Sequence, residues 1–494
     1  MLWWLLLVQA MLCYGEEEIF PDDPRLAYIG RFATSPGFFL SSTPGNECPE
    51  GSSKVTEKGD CWAAMAWASD PSFEWQGTES EKTWPHGCYF CDDVDGCSDG
   101  TWFNSHSGGK AHGGARPYCK GGDAPADATR YYAWPGSQIE ARFSGTRVSA
   151  NLTGSHSGDR FLAVLDGEPR EPFVVAKHKE GWKQYTLAEG LSPGDHTLAL
   201  WKITEDLVQK HLQGACRFGG LSVDGQFLDP PAPRERRLEF IGDSDTAGYC
   251  ADGHPSGGDE ETKVDDTYKT WAAQLARRLN ADFVALAISG DGVEESTQST
   301  GSVPDKLSRI LPFQSASVGA GTAWNFSDYV PDAVVILIGP NDNQHKKFNF
   351  KSDYMDMMNK IVSNYANAST PPALISVIAG SGNGFDPAEH IREVTEEFNT
   401  GRGDGFEAYY TSISKNTWKE INAHNGASQY NGCHTHYNEK GHAKVADEIL
   451  PQIEKIMGWE GLGLGTLKVP IRQHSNLAAT PGTQQAGLPD FSDG

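Results

Sequence analysis

The chain has 494 residues, 38% of them hydrophobic and 11% aromatic, which suits two or three globular domains with cores of ordinary size. With 66 acidic against 41 basic residues the net charge is -25, so there is no surplus of cations to neutralise phosphates. That balance argues against nucleic acid and anionic membrane surfaces as partners, and it suits a neutral partner such as a glycan or simple solubility.

Residues 2–12 are almost wholly apolar, Cys13 and Gly15 are small residues where a leader is cut, and Glu16, Glu17 and Glu18 open a polar chain. This predicts a signal peptide over 1–15 and a secreted, extracellular protein, although no basic residue precedes the apolar run. A membrane anchor is the competing reading, but the run is short for a bilayer span, and no later segment is apolar for long enough. Of ten cysteines, nine follow this leader and six fall between Cys48 and Cys119. Clustered cysteines in an oxidising compartment read as disulfides, and nine is odd, so at least one thiol is unpaired or pairs between chains. Cys88, Cys91 and Cys97 have a spacing that also suits zinc, a reading that export disfavours. Asn151, Asn325 and Asn367 each head an Asn-x-Ser/Thr glycosylation acceptor.

Three textures follow along the chain. Residues 33–129 are rich in Gly, Cys, Trp and Asp with little periodicity. Residues 130–228 carry short alternating runs at 138–143, 160–165 and 196–203, separated by turn residues at 166–167, 192–195 and 224–225, which predicts an antiparallel β-sandwich. After a proline-rich joint at 229–234 the rhythm becomes strand, helix, strand. Strands are predicted at 238–241, 283–288, 333–338 and 374–379, and helices at 268–279, 355–362 and 439–457, with a further helix starting at Asp386 and Pro387. Alternating elements of this kind build a three-layer α/β/α sandwich around a mostly parallel sheet. Residues 459–494 are rich in Gly, Pro and Gln and read as disordered.

Four signals sit at the ends of these strands. Gly242, Asp243 and Ser244 follow the first strand, where a hydroxyl can stand at the carboxyl edge of the sheet; the bland alternative is a serine capping a turn. Gly290 follows the second strand, where the lack of a side chain lets a main-chain N–H approach an oxyanion. Gly339, Asn341 and Asp342 close the third. The Asn341 amide can also point at an oxyanion, and Asp342 can hold the loop through main-chain N–H groups. Both glycine and Pro-Asn segments are also ordinary turns. The last signal, 432–442, holds His434, His436 and His442 before the final helix. A serine nucleophile needs a neighbouring base. His436 lies in the loop, where an imidazole can reach the hydroxyl, whereas His442 falls at the helix start and His434 faces elsewhere. A metal site on the three histidines lacks an acidic or cysteine ligand at zinc spacing.

The order Gly-Asp-Ser, Gly, Gly-x-Asn-Asp and His resembles the blocks of the SGNH hydrolases. Arg25 to Phe32, Trp134 to Ile139, Phe143 to Thr146, Trp324 to Ser327, and Gly432 and Cys433 with His436 resemble carbohydrate esterase family 2, the acetylxylan esterase type. The resemblance covers 25–32 and roughly 130–457. It implies a jelly-roll domain from 16–32 plus 130–230, a cysteine-rich insertion at 33–129, and an SGNH catalytic domain over 235–458. It further implies Ser244 as nucleophile, His436 as base and then acid, and an oxyanion hole from the N–H groups of Ser244 and Gly290 with the Asn341 side chain, supported by Asp243 and Asp342. The implied activity is removal of acetyl groups from poly- or oligosaccharide through an acyl-enzyme, with no metal or organic cofactor. The fold kept for lectin-like binding without catalysis is the alternative. Two departures matter. Many SGNH enzymes have an acid where Cys433 stands, and family 2 members commonly lack it, so a Ser–His dyad with the imidazole oriented by a carbonyl or another group is expected. Asp245 follows the nucleophile in place of an apolar residue, facing either His436 or solvent. Cys250 is a candidate partner for Cys433. The inserted aromatics Trp62, Trp67, Trp75, Trp84, Tyr89 and Trp102 read as the module's own small core before they read as a sugar platform.

Overall fold

Five short strands form the centre of the C-terminal half: β1 (Arg236–Gly242), β2 (Ala281–Ala287), β3 (Ala333–Leu337), β4 (Ala373–Ile378) and β5 (Ala408–Ser412). The computed structural model describes residues 16–459 apart from 35–37, 43, 59–60, 62–63, 65–74, 92–95, 97, 122–128, 156–157, 178–179, 206–214, 256, 259, 295–301, 313–323, 345–348, 379–386 and 422–428. The expected leader, nearly all of the expected tail, Trp62, Trp67, Cys97 and the Asp386 cap therefore lie outside the described residues. The strands pair in parallel in the order β2-β1-β3-β4-β5. Around them lie α1 (Trp271–Arg278), α2 (Phe350–Asn364), α3 (Pro387–Phe398), α4 (Lys415–Ile421) and α5 (Glu439–Met457).

The continuous apolar runs are explained by burial on both faces. Phe240, Phe283, Val335 and Ile375 face one core with α1 and α5, whereas Ile241, Leu286, Ile336 and Leu374 face a second core with α2 and α3. The result is the three-layer sandwich anticipated above. β5 and α4 were not anticipated, because Tyr409 and Tyr410 are only half-buried and give no apolar run. α5 begins at Asn438, whose side chain accepts from the N–H groups of Lys440 and Gly441, and ends at Gly458 in a left-handed conformation.

The β-sandwich consists of two antiparallel sheets. One holds Glu17–Ile19, Ala33–Thr34, Arg130–Tyr132, Val148–Thr153, Lys183–Ala188 and Cys216–Val223. The other is built chiefly on Gln138–Ser144, Asp159–Leu165 and Asp195–Lys202, the three alternating runs of the sequence. Their facing side chains, among them Phe143, Phe161, Leu198 and Phe218, form its core. Residues 38–121 contribute a separate sheet with Ala115–Gly121, Gly87–Cys91 and Gly100–Asn104 at its centre. No alternation betrays it because Gly87–Cys91 is buried along its whole length. Cys48 pairs with Cys119 and Cys61 with Cys88, so Cys88 is not a metal ligand. Trp84 and Trp102 pack on buried Tyr89, as expected of a small aromatic core. Cys216 keeps a thiol, buried beside Asp159, to which it hydrogen-bonds.

The sandwich is bolted to the hydrolase half through Arg31. This guanidinium is 1% exposed and donates to the carbonyls of Leu307 and Arg309 at 2.7 and 2.8 Å and to Glu239 of β1 at 3.0 Å. Tyr365 donates to the second Glu239 oxygen at 2.9 Å, and the rings of Trp324 and Phe326 lie 5.2 and 5.5 Å from the guanidinium carbon. This accounts for two otherwise separate fragments of the sequence, Arg25 to Phe32 and Trp324 to Ser327, which meet here.

Two predictions follow from this packing. Arg31→Ala strands a buried carboxylate and should destabilise the fold by about 3–5 kcal/mol, read as a lower denaturation midpoint that Glu239→Gln in the same chain partly restores. His442 is wholly buried on α5, and burial, with the nearby His436 adding to it, lowers its value from 6.5 to about 3. The unfolded chain then takes up this proton first, so stability is full above pH 6.5 and falls as the pH drops from there towards 3. The slope from this group should be up to about 1.4 kcal/mol per pH unit, and His442→Phe should remove it from a series of unfolding curves.

Candidate active site

The order of the sheet turns back between β1 and β3, and open parallel sheets present their ligand crevice at the carboxyl end of such a point. Ser244 emerges there from β1 as the first residue of a single helical turn, Ser244–Ala247, and is 8% exposed. Asp243 caps that turn by accepting from the Asp245 N–H at 3.2 Å. Gly242 is required because a Cβ there would lie 2.2 Å from the Thr246 hydroxyl oxygen.

His436 reaches the same point from the loop before α5. Its Nε2 lies 2.8 Å from Ser244 Oγ, and its Nδ1 lies 3.1 Å from the carbonyl oxygen of His434. A carbonyl only accepts, so Nδ1 carries the proton of the neutral ring and Nε2 presents its lone pair to the serine hydroxyl. The carbonyl is aimed by His434 itself, which adopts a left-handed conformation at φ 49 and ψ 34. Tyr249 buttresses the imidazole edge-to-face at 4.9 Å. The loop is tied to the segment following Ser244 by the Cys250–Cys433 disulfide, with Cα atoms 5.2 Å apart. The approach depends on Gly432, where a Cβ would lie 2.0 Å from the Cys250 carbonyl oxygen. The three histidines thus part company: His436 faces Ser244, His434 supplies a carbonyl, and His442 enters the core. Among the described residues no three His, Cys, Asp or Glu side chains gather as a metal site.

The remaining residues singled out in the sequence lie on the neighbouring strand ends. Gly290, with φ 81, occupies the turn after β2. Asn341 follows β3, and its Nδ2 donates to the Asp291 carbonyl at 2.9 Å and reaches an Asp243 oxygen at 3.3 Å. The carboxamide therefore joins the three loops but is already engaged, one contact being long. Asp342 accepts from the N–H groups of Val293 and Glu294, both at 2.9 Å, and so holds the loop beyond Gly290.

The edge is acidic. Burial, with Asp245 and then Asp291 and Asp342 adding like-charge repulsion, pushes Asp243 well above the carboxylate range, although the Asp245 N–H opposes this. Burial also raises Asp245, opposed by the charge of His436 and by the Tyr437 N–H, so this half-buried carboxylate lies against the histidine loop. Asp291 is paired with buried Lys306, whose Nζ lies 2.6 Å from both carboxylate oxygens. Glu205 of the β-sandwich bonds Ser289 beside Gly290. Sequence reading missed Lys306, Tyr249 and Glu205. None sits in a motif, and Glu205 lies in the other half of the chain.

The arrangement offers a hydroxyl and an imidazole of fixed tautomer at the carboxyl edge of the sheet, which is what acyl transfer needs of a nucleophile and its base. A model of the carbohydrate esterase 2 N-terminal domain matches residues 123–231, and one of the GDSL-like lipase/acylhydrolase domain matches 238–449. The chain is 32% identical over 340 residues to the cellulase/esterase CelE of Acetivibrio thermocellus, covering 66% of this chain and 38% of that protein. It thus spans well under half the length of CelE. It is 26% identical over 348 residues to an acetylxylan esterase / glucomannan deacetylase of Cellvibrio japonicus, covering 66% of this chain and 86% of that one. A family two carbohydrate esterase from Clostridium thermocellum, solved with cellohexaose, is 28% identical with a TM-score of 0.55 over 67% of this chain and 95% of that chain. The chain thus carries a match to the carbohydrate esterase 2 N-terminal domain followed by a match to the GDSL-like acylhydrolase domain, and it is similar to family two carbohydrate esterases in sequence and structure.

Proposed function

We propose that this protein is a secreted esterase that removes O-acetyl groups from polysaccharide or oligosaccharide through a Ser244–His436 dyad and an acyl-enzyme. The observation that carries the reading is the 2.8 Å approach of His436 Nε2 to Ser244 Oγ, with Nδ1 held by a carbonyl. Ser244 Oγ bonds to the acetyl carbonyl carbon while its proton passes to His436 Nε2. The oxyanion is received by the N–H groups of Ser244 and Gly290, and Asn341 exchanges its long contact with Asp243 for it. Collapse breaks the bond to the sugar oxygen, which leaves with the proton from the imidazolium. Water, deprotonated by the same ring, then releases acetate and restores the serine.

At Nδ1 of His436 a carbonyl stands where a triad would place an acid. The His434 carbonyl fixes the tautomer, and Asp245, if ionised, favours the transient imidazolium through space. A neutral polysaccharide also suits a chain of charge -25, as does the cellohexaose bound by the related esterase. Export is supported by the apolar residues 2–12 and by three disulfides among the described residues, since such bonds persist in oxidising compartments. No helix among the described residues is long and apolar enough to cross a membrane.

The test is hydrolysis of 4-nitrophenyl acetate together with acetate release from a panel of acetylated polysaccharides. Ser244→Ala should lower turnover by at least ~1000-fold, and Asn341→Ala should lower kcat ~100-fold with little change in KM. Native protein that binds glycans without releasing acetate would instead establish a lectin, and equal activity of native and Ser244→Ala proteins would remove the dyad from the chemistry.

A further inference from the structure

The loop that carries Gly290 is anchored on its far side by its own domain, through Lys306 on Asp291 and Asp342 on Val293 and Glu294. Its near side is anchored by the other domain. Glu205 lies just past the sandwich strand Asp195–Lys202 and is 2% exposed. One carboxylate oxygen accepts the main-chain N–H of Ser289 at 2.6 Å, and the other accepts the Ser289 hydroxyl. Ser289 is 6% exposed and immediately precedes Gly290.

The peptide that bears the Gly290 N–H is the one joining these two residues. Its plane is set by rotation at Ser289 on one side and at Gly290 on the other. Glycine at φ 81 resists such rotation less than any other residue, so orientation has to be imposed from Ser289. A carboxylate that grips both the N–H and the hydroxyl of Ser289 imposes it, and burial strengthens both bonds. Burying a charge is costly, and packing between two domains is achieved more cheaply by an apolar side chain. The acid at this position makes two directed bonds to Ser289 that an apolar side chain could not.

We propose that Glu205 is a positioning residue: through Ser289 it orients the peptide bearing the Gly290 N–H, so that the β-sandwich completes the oxyanion hole of the hydrolase domain. This rests on the reading of Gly290 as an oxyanion donor. It makes the sandwich part of the catalytic apparatus and not only a neighbouring module.

Steady-state hydrolysis of 4-nitrophenyl acetate by the full chain tests this, with circular dichroism and thermal midpoints recorded for each variant. Glu205→Ala should lower kcat ~10–100-fold with KM within about twofold, because a donor is misdirected and not a binding surface lost. Glu205→Gln should stay within about threefold of native, since its carbonyl accepts the Ser289 N–H and its NH2 donates to the Ser289 oxygen. Ser289→Ala keeps the main-chain bond and should fall between them, and it carries the test if Glu205→Ala does not fold. A folded Glu205→Ala with native kcat, a Glu205→Gln as impaired as the alanine variant, or a Ser289→Ala with native kcat overturns the proposal. Native protein without turnover would instead overturn the esterase reading on which it rests.

Discussion

The contact between Ser244 Oγ and His436 Nε2 joins residues 192 positions apart, and much of the C-terminal half is arranged so that it can form. β1 must end where α5 begins, which requires β1 between β2 and β3 inside the sheet and α5 packed across it through Val445, Ile449 and Ile453. The Cys250–Cys433 bridge then removes the freedom of the two loops relative to each other. Gly432 lets the loops approach at a distance that no Cβ would allow. The bridge lessens the chain entropy lost when the His436 loop and the segment after Ser244 are ordered against each other.

A carboxylate often orients an imidazole of this kind, and around His436 main chain does the task. The left-handed His434 aims a carbonyl at Nδ1, which fixes the tautomer without placing a charge in contact with the ring. The carboxylates nearby are used differently. Asp342, Asp243 and Glu205 accept from main-chain N–H groups and shape loops, and Asp291 is matched by Lys306. Acidic side chains at this edge are therefore mostly structural fasteners. Asp245 likewise accepts a main-chain N–H, that of Tyr437, and one of its oxygens is buried beside the histidine loop without a hydrogen-bond partner.

The α/β half was legible because burial on both faces writes itself as apolar runs, as in Ala333–Leu337, and because motif residues at strand ends have fixed spatial meaning in a parallel sheet. The sandwich was legible through alternation, as in Asp195–Lys202. The inserted sheet was not, since Gly87–Cys91 is buried on both sides and too short to be told from a buried turn. Nor was β5, whose tyrosines are half-buried. At the site, Ser244, His436, Gly290, Asn341, Asp243 and Asp342 all stand in motifs; the structure sets His436 on Ser244, Asn341 on Asp243 and Asp342 on the loop beyond Gly290. The orientation of Asp245 was left open in the sequence because it depends on where the histidine loop lies. Glu205 and Lys306 left no local signal at all, because their roles arise from contacts between distant segments and not from spacing.

The central claim is that the Ser244 hydroxyl is made nucleophilic by His436. Stoichiometric labelling with a fluorophosphonate, followed by intact-mass and peptide mapping, measures that property directly. The account predicts a single phosphonyl adduct on Ser244, formed rapidly by the native protein and lost or slowed by orders of magnitude in His436→Ala. Full esterase activity after exposure to the reagent, or an inactivating adduct on any other residue, would contradict it.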